Sequence, residues 1–232
     1  MDAQKEETIR YLSKVYLWMF FALIITGLTG WFTAPLLLQF LSSPTFQGWS
    51  STVQQVALFL PMVMWLVFAW SLAPLMRRSG AALITVLLIL FSAFTGFTFS
   101  YVFAFYTTAS IGLTFLIASA MFAAMSLFGY FTKMDLTSWG PILGMAVLGL
   151  IIASVVNFFL QSPLVDYIAS GIGIVVFSAL VAYHTQTIVK HNVMGNEGTL
   201  EDFREVVIGA GFLYIDFINL FMDLLRFFGK RK

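Results

Sequence analysis

The chain has 232 residues, of which 60% are hydrophobic, 17% aromatic and only 10% charged, with a formal net charge of +1. A soluble domain carries about 25% charged residues, so this chain has too little polar surface to face water on every side, and lipid is its expected solvent. The near-neutral charge argues against a nucleic-acid partner, and the absence of cysteine excludes disulfides and thiolate metal sites.

The chain opens with MDAQKEETIRYLSK, which mixes acids and bases. It lacks the basic start, short apolar core and small-residue cleavage site of a signal peptide. Residues 1–14 therefore read as a cytoplasmic tail, and the span that follows as part of the mature protein. A bilayer core of about 30 Å needs roughly 20 apolar residues per helix. Uncharged runs of that order lie at about 15–34, 53–76, 81–104, 111–131 and 140–161. Two more, at about 167–189 and 206–228, carry polar residues inside. The expected fold is an all-α integral membrane protein, a seven-transmembrane helix bundle over 15–228 with a basic tail at 229–232.

The punctuation agrees with this count. Pro61 and Pro74 fall inside the second run and should bend it, which neighbouring helices tolerate. Ser92, Gly96 and Ser100 recur every four residues and prepare the third helix for close packing. Ser138 is a candidate N-cap with Pro141 in the first turn after it, and QSP repeats the arrangement before the sixth run. Lys and Arg set the orientation. They occur in the N-terminal tail (Lys5, Arg10, Lys14), in the second loop (Arg77, Arg78), in the fourth (Lys133) and in the sixth (Lys190, Arg204), but not in the first, third or fifth. That places the N-terminus and the even-numbered loops in the cytoplasm. The basic end Arg226, Lys230, Arg231 and Lys232 opposes the pattern, so the last run either spans and leaves its tail outside, the reading adopted here, or re-enters.

The last run, GFLYIDFINLFMDLLRFFGKRK, raises the main chemical question. At 100° per residue, Asp216, Asn219, Asp223 and Arg226 fall within an arc of about 80°. An ionisable group at membrane depth is costly and is by default a functional-site hypothesis. Asp223 has Arg226 three residues on, near the helix end, and reads as a local interfacial ion pair. Asp216 lies deeper and has no cation within a turn of its own helix. Asn219, and Asn157 in the fifth run, read as helix–helix hydrogen bonds. In the sixth run His184, Thr187 and His191 share a face, and His184 is the only histidine within a span. Histidine is the side chain whose charge changes near physiological pH, so a carboxylate facing it would make a proton-sensitive pair.

Several chemistries drop out. No lysine lies mid-span for retinal, no G-x-S-G occurs for intramembrane serine proteolysis, and no nucleotide loop, zinc motif or EF-hand is present. Asp216 and Asp223 are about 10.5 Å apart along one helix, too far to share a proton as an aspartyl-protease pair. The chain does not read as an enzyme.

FAAMSLFGYFTKMDLTSWG, GLIIASVVNFFL, AYHTQTI and LYIDFINLFMDLLRFFGKRK, in that order, resemble the strings of the Bax inhibitor family of membrane proteins. The likeness runs from about Ser92 to Lys232 and is compatible with the first two spans. It implies a seven-helix bundle with the last helix central, and a pH-sensitive calcium leak sensed by two aspartates of the sixth and seventh helices. The seventh-helix aspartate matches Asp216. Where the family string reads AYDTQ, this chain has His184. An arginine near the end of the second helix latches to the pair in the family, which makes Arg77 or Arg78 the candidate here. With one shared proton an Asp–Asp pair keeps one negative charge, whereas a His–Asp pair is neutral. Imidazole also removes a hard oxygen ligand that calcium prefers. Asp216 is thus the candidate calcium ligand of a weakened site, with Asp223 able to restore some negative charge.

The leading expectation is a pH-sensitive calcium or cation leak in a bacterial inner (plasma) membrane, in contact with lipid, calcium ions and protons and without a cofactor. The alternative is a non-transporting interaction protein that modulates a membrane protease or stress and cell-death signalling, as the resemblance also implies. Its surface would be the loop KHNVMGNEGTLEDFREVV, where Thr199 and Asp202 read as a capping box. A substrate transporter would show inverted repeats, and none is visible.

Overall fold

The computed structural model describes residues 2–192 and 195–232, except the side chains of 2–4, 72, 73 and 76–78. In lipid a spanning segment must satisfy its own N–H and C=O groups, and the apolar runs accordingly form helices. In chain order these are α1 (Asp2–Leu41), α2 (Pro44–Gln47), α3 (Ser51–Arg78), α4 (Ala81–Thr98), α5 (Ser100–Phe105), α6 (Thr108–Phe131), α7 (Gly140–Leu160), α8 (Pro163–His191) and α9 (Leu200–Phe228). Among the described residues, seven helical segments are long and apolar enough to cross a membrane.

Three details differ from expectation. Helix α1 begins at Asp2, so the segment before residue 15 is helical and continuous with the first span. The third span is interrupted at Phe99, with φ −92° and ψ 15°, which separates α4 from α5. Just before this break the hydroxyls of Ser92 and Thr95 donate to the carbonyls of Leu88 and Phe91, back-bonds of a kind that bend helices. Ser138 does not cap α7. Instead Asp135 accepts from Thr137 N–H and caps a 3-10 turn over Leu136–Trp139, which runs into α7 with Pro141 in its first turn. Ser162 does cap α8, accepting from Val165 N–H, with Pro163 next.

The chain packs as two compact units. One comprises Ser13–Tyr106, Asn196–Gly211 and Arg231–Lys232. In it the small-residue face of α4 meets α1. Thr26 Oγ1 donates to Ser92 O at 2.9 Å, and a Cβ at Gly96 would collide with the Thr26 carbonyl. Trp65 of α3 donates its indole N–H to Thr95 Oγ1 and stacks on Phe91. The N-terminal turn of α9 belongs here too: Thr199 caps it, and Asp202 accepts from Gly198 N–H and from Lys14 Nζ. Half of the capping box expected from Thr199 and Asp202 is formed: Thr199 accepts from Asp202 N–H, but the Asp202 carboxylate reaches Gly198 N–H and Lys14, and Thr199 N–H donates to Asn196 O instead.

The other unit comprises Met1–Leu12, Thr107–Gly195 and Phe212–Lys230. Helices α6 and α8 approach so closely that a Cβ at Gly129 would strike the backbone of Ala182. One turn along, Ser126 and Thr185 share a hydroxyl hydrogen bond of 3.1 Å. The C-terminal half of α9 seats Phe217 edge-on against Phe115 and Phe122 of α6 and stacks Phe227 on Tyr167 of α8. Among the described residues, α9 has the largest buried share of the seven spanning-length helices, 67% of its most apolar stretch against 39% at most in the others.

The same unit resolves where α9 ends. At one end of α6, Lys190 near the end of α8 bonds Asp135 of the α6–α7 connection. At the other end, Lys230 accepts from Thr107 N–H and its own N–H donates to Ser110 Oγ. Helix α9 is 29 residues long, about 43 Å at 1.5 Å per residue, and it finishes beside the start of α6 rather than beside its end. A cysteine placed at Ser51 or at Lys232 in this cysteine-free chain should react with an impermeant thiol reagent added from outside. Labelling at Ser51 alone would mean that α9 re-enters.

Candidate functional site

Helix α8 carries the site because three of its consecutive residues face three neighbours. Thr185 is fixed to α6 by Ser126. Gln186, buried within the span, clamps the α6–α7 connection: its Oε1 accepts from Leu136 N–H at 2.8 Å and its Nε2 donates to Met134 O at 2.8 Å. His184 turns towards α9.

There His184 Nδ1 lies 2.6 Å from Asp216 Oδ2. Asp216 is 2% exposed and the His184 side chain 19%, so the pair is sheltered, with the imidazole on its more open side. Phe212, one turn before Asp216, stacks on the imidazole with ring centroids 5.1 Å apart. The ring is thus backed by an aromatic face at an interplanar angle of 22°, while Thr185 and Gln186 anchor the neighbouring turn of α8. A short contact between an imidazole N–H and a carboxylate is charge-assisted and among the stronger hydrogen bonds. The pair can hold one proton as a neutral ion pair, release it to leave one negative charge, or take a second.

The other candidates are placed differently. Asn219 donates to Ile215 O of its own helix at 2.8 Å rather than to another helix; four residues along α9, that carbonyl is the nearest acceptor. Asn157 is not a helix–helix hydrogen bond either. It sits in the last turn of α7, where its side-chain oxygen accepts from Ser162 N–H and its carbonyl from Gln161 N–H, closing a turn in which Gln161 has a φ of 50°. Asp223 and Arg226 are 3.9 Å apart, an ion pair beyond hydrogen-bond distance. Asp223 is 8% exposed and packs on Gly173 of α8, so it is buried rather than interfacial. His191 is exposed and bonds Thr187 O, apart from His184. Arg77 and Arg78 close α3, and their side chains lie outside the described residues.

The sequence model for the family described as "Inhibitor of apoptosis-promoting Bax1" matches residues 8–232. The chain belongs to the Bax inhibitor family. Among curated relatives, it is 38% identical over 226 residues to the inner membrane protein YbhL of Escherichia coli strain K12, covering 96% of this chain and 92% of that one. It is 39% identical over 225 residues to an uncharacterised protein of Rickettsia prowazekii, covering 96% and 90%. To an uncharacterised protein of Borreliella burgdorferi it is 37% identical over 237 residues, covering 100% and 98%. With seven spans and relatives of this kind, this Bax inhibitor family protein resides in a bacterial inner membrane.

The strings that carried the resemblance now have physical reasons. FAAMSLFGY supplies Ser126 and Gly129, which let α6 dock on Ala182 and Thr185 of AYHTQ. TKMDL supplies the backbone groups that Gln186 binds and the Asp135 that Lys190 binds. Sequence reasoning passed over Gln186, Ser126 and Thr185, although a buried glutamine in a span demands partners. Among the described residues no three His, Asp or Glu side chains gather as a metal site, and Asp216 offers calcium a single carboxylate beside an imidazole.

Hydrogen bonds from Lys190 and Thr137 hold the exposed Asp135 carboxyl below the usual carboxylate range, at about 2. Because this value is lowered on folding, what the contact contributes is complete above about 4 and is lost as pH falls through about 2. Asp135 therefore stays ionised between pH 5 and 8 and takes no part in any response there. Gln186→Ala, by contrast, leaves the Leu136 N–H and the Met134 carbonyl without their partner. It should cost about 1–3 kcal/mol, read as a lower melting temperature of the purified protein. An unchanged melt would mean that Gln186 does not hold the loop.

Proposed function

We propose that this Bax inhibitor family protein is a pH-sensitive cation leak, with calcium as a transported ion and the His184–Asp216 pair as its titrating element. The observation that supports the reading is the 2.6 Å contact between an imidazole and a 2%-exposed carboxylate inside two spanning helices. Ionisable groups at membrane depth are costly to keep and mark ion or proton paths in membrane proteins.

The physics gives the pair two states. With neutral imidazole the site carries one negative charge from Asp216 and attracts a cation passing between α8 and α9. When a proton arrives the pair becomes a neutral ion pair that ties the two helices together and no longer offers a net charge. At 4 Å and an effective dielectric of 20, a unit charge acts on a cation by about 4 kcal/mol per cation charge as an upper bound. The groups facing His184 are Asp216 and Phe212 of α9 and the neighbouring Tyr183 ring. Asp135 is already ionised across the range, so a pH response there does not come from that carboxylate.

Calcium and proton flux into liposomes across that window tests the reading. His184→Ala should flatten the pH response. His184→Asp adds a hard oxygen ligand and should raise calcium flux and move the midpoint. Asp216→Asn should impair flux more than Asp223→Asn does. Superimposable curves for wild type, His184→Ala and His184→Asp would remove the pair from the mechanism. That result would favour a non-transporting protein that modulates a membrane protease or cell-death signalling.

A further inference from the structure

Helix α5 depends on the far end of the chain. At its start the third span breaks at Phe99, and the six residues Ser100–Phe105 that follow are too few to hold a helix by themselves. The last four carbonyls of a helix have no donor within it. Here Tyr106 N–H meets the carbonyl of Val102, and Lys232 meets the other three. Its backbone N–H donates to Phe105 O at 2.8 Å, and its ammonium to Phe103 O at 2.8 Å and to Ala104 O at 3.2 Å. A lysine at a helix C-terminus also complements the helix dipole.

The attachment is a short paired strand rather than a single contact. Tyr106 and Arg231 form an antiparallel bridge, and the Arg231 guanidinium lies over the Tyr106 ring, 5.8 Å from its centroid. The residue before them, Lys230, accepts from Thr107 N–H at 3.2 Å and donates its own N–H to Ser110 Oγ at 2.9 Å. The body of α5 rests on α1: Phe103 is edge-on to Trp31, with ring centroids 6.0 Å apart, and a Cβ at Gly30 would collide with the Phe103 ring. A break at one end, a packed seat along one face and a strap across the other end are the parts of a hinged lid.

We infer that Arg231 and Lys232 act as a clasp that holds α5 shut, and that α5 is a lid turning on the break at Phe99 when the clasp lets go. Release strips three carbonyls of their donors at once, and a helix this short answers by unwinding or by tilting at the break. The amides of Val102 and Tyr106 report the opening. They donate to Phe99 O and Val102 O and not to the tail, so the tail protects them only by keeping α5 in place. The inference does not rest on the leak reading, because opening is measured without flux.

The test is hydrogen–deuterium exchange of the protein in lipid nanodiscs. Deleting residues 231–232 should speed exchange at Val102 and Tyr106 about tenfold or more, while Ile84–Phe91 of α4, before the break, keep their wild-type rates. Lys232→Met keeps the backbone bond but loses the ammonium, and should act in the same direction by less. A second variant, Tyr106→Cys with Arg231→Cys, places the only two thiols of this cysteine-free chain at a bridge pair, where facing side chains stand close. Oxidising it should slow exchange at Val102, and reduction should restore the faster rate. Both states are the same molecule, so this comparison holds even if the deletion folds poorly. Unchanged exchange at Val102 in a folded deletion variant, or between the oxidised and reduced pair, would overturn the inference. Equal acceleration in α4 would overturn it too, by making the tail a general stabiliser and not a clasp on α5.

Discussion

A carboxylate within a membrane span costs several kcal/mol to bury as an ion unless a partner of opposite charge or a set of donors meets it. In this protein that constraint falls on Asp216, and His184 answers it. Much of the surrounding packing serves to bring the two side chains to 2.6 Å. The glycine at 129 lets α8 lie close to α6, the Ser126–Thr185 hydroxyl pair fixes its rotation, and Phe212 backs the ring. Removing any of these would move the imidazole without touching the carboxylate.

Helix α8 also joins the pair to the connection between α6 and α7. Gln186 follows His184 by two residues and holds two backbone groups of that connection, and Lys190 holds Asp135 one turn further on. A proton that strengthens or loosens the His184–Asp216 contact acts on the same helix that carries these clamps. This is a physical route from a site at membrane depth to a loop outside it. The imidazole at position 184, where the family resemblance implies an aspartate, bears on the same balance of charge. Imidazole in place of carboxylate changes the charge of the pair at every proton count and withdraws one oxygen from any passing cation.

The spans were legible in the sequence because runs of about 20 uncharged residues have no other stable home, and the His184–Asp216 pair was expected because the family resemblance set those two positions against each other, Asp216 having no cation within a turn of its own helix. The fates of Asn219 and Asn157 were not. A carbonyl four residues back and a turn closing after Leu160 are local acceptors that compete with a neighbouring helix, and spacing alone does not choose between them. The break at Phe99 was hidden because no proline marks it and Gly96 read as a packing residue; Ser92 and Thr95 donate to their own helix just before it. The burial of Asp223 was obscured by Arg226, whose nearness in sequence suggests a closer ion pair than the 3.9 Å observed, and by the need to see Gly173 facing it.

The central claim is that His184 and Asp216 exchange a proton as one unit in the intact protein. Nitrogen-15 NMR of the His184 ring, in protein reconstituted in lipid and followed from pH 5 to 8, tests it directly. The account predicts that the ring nitrogens of His184 pass from a neutral to a doubly protonated signature across that window as pH falls, and that Asp216→Asn displaces the transition. A ring signature that stays constant from pH 5 to 8, or one identical in wild type and Asp216→Asn, would contradict it.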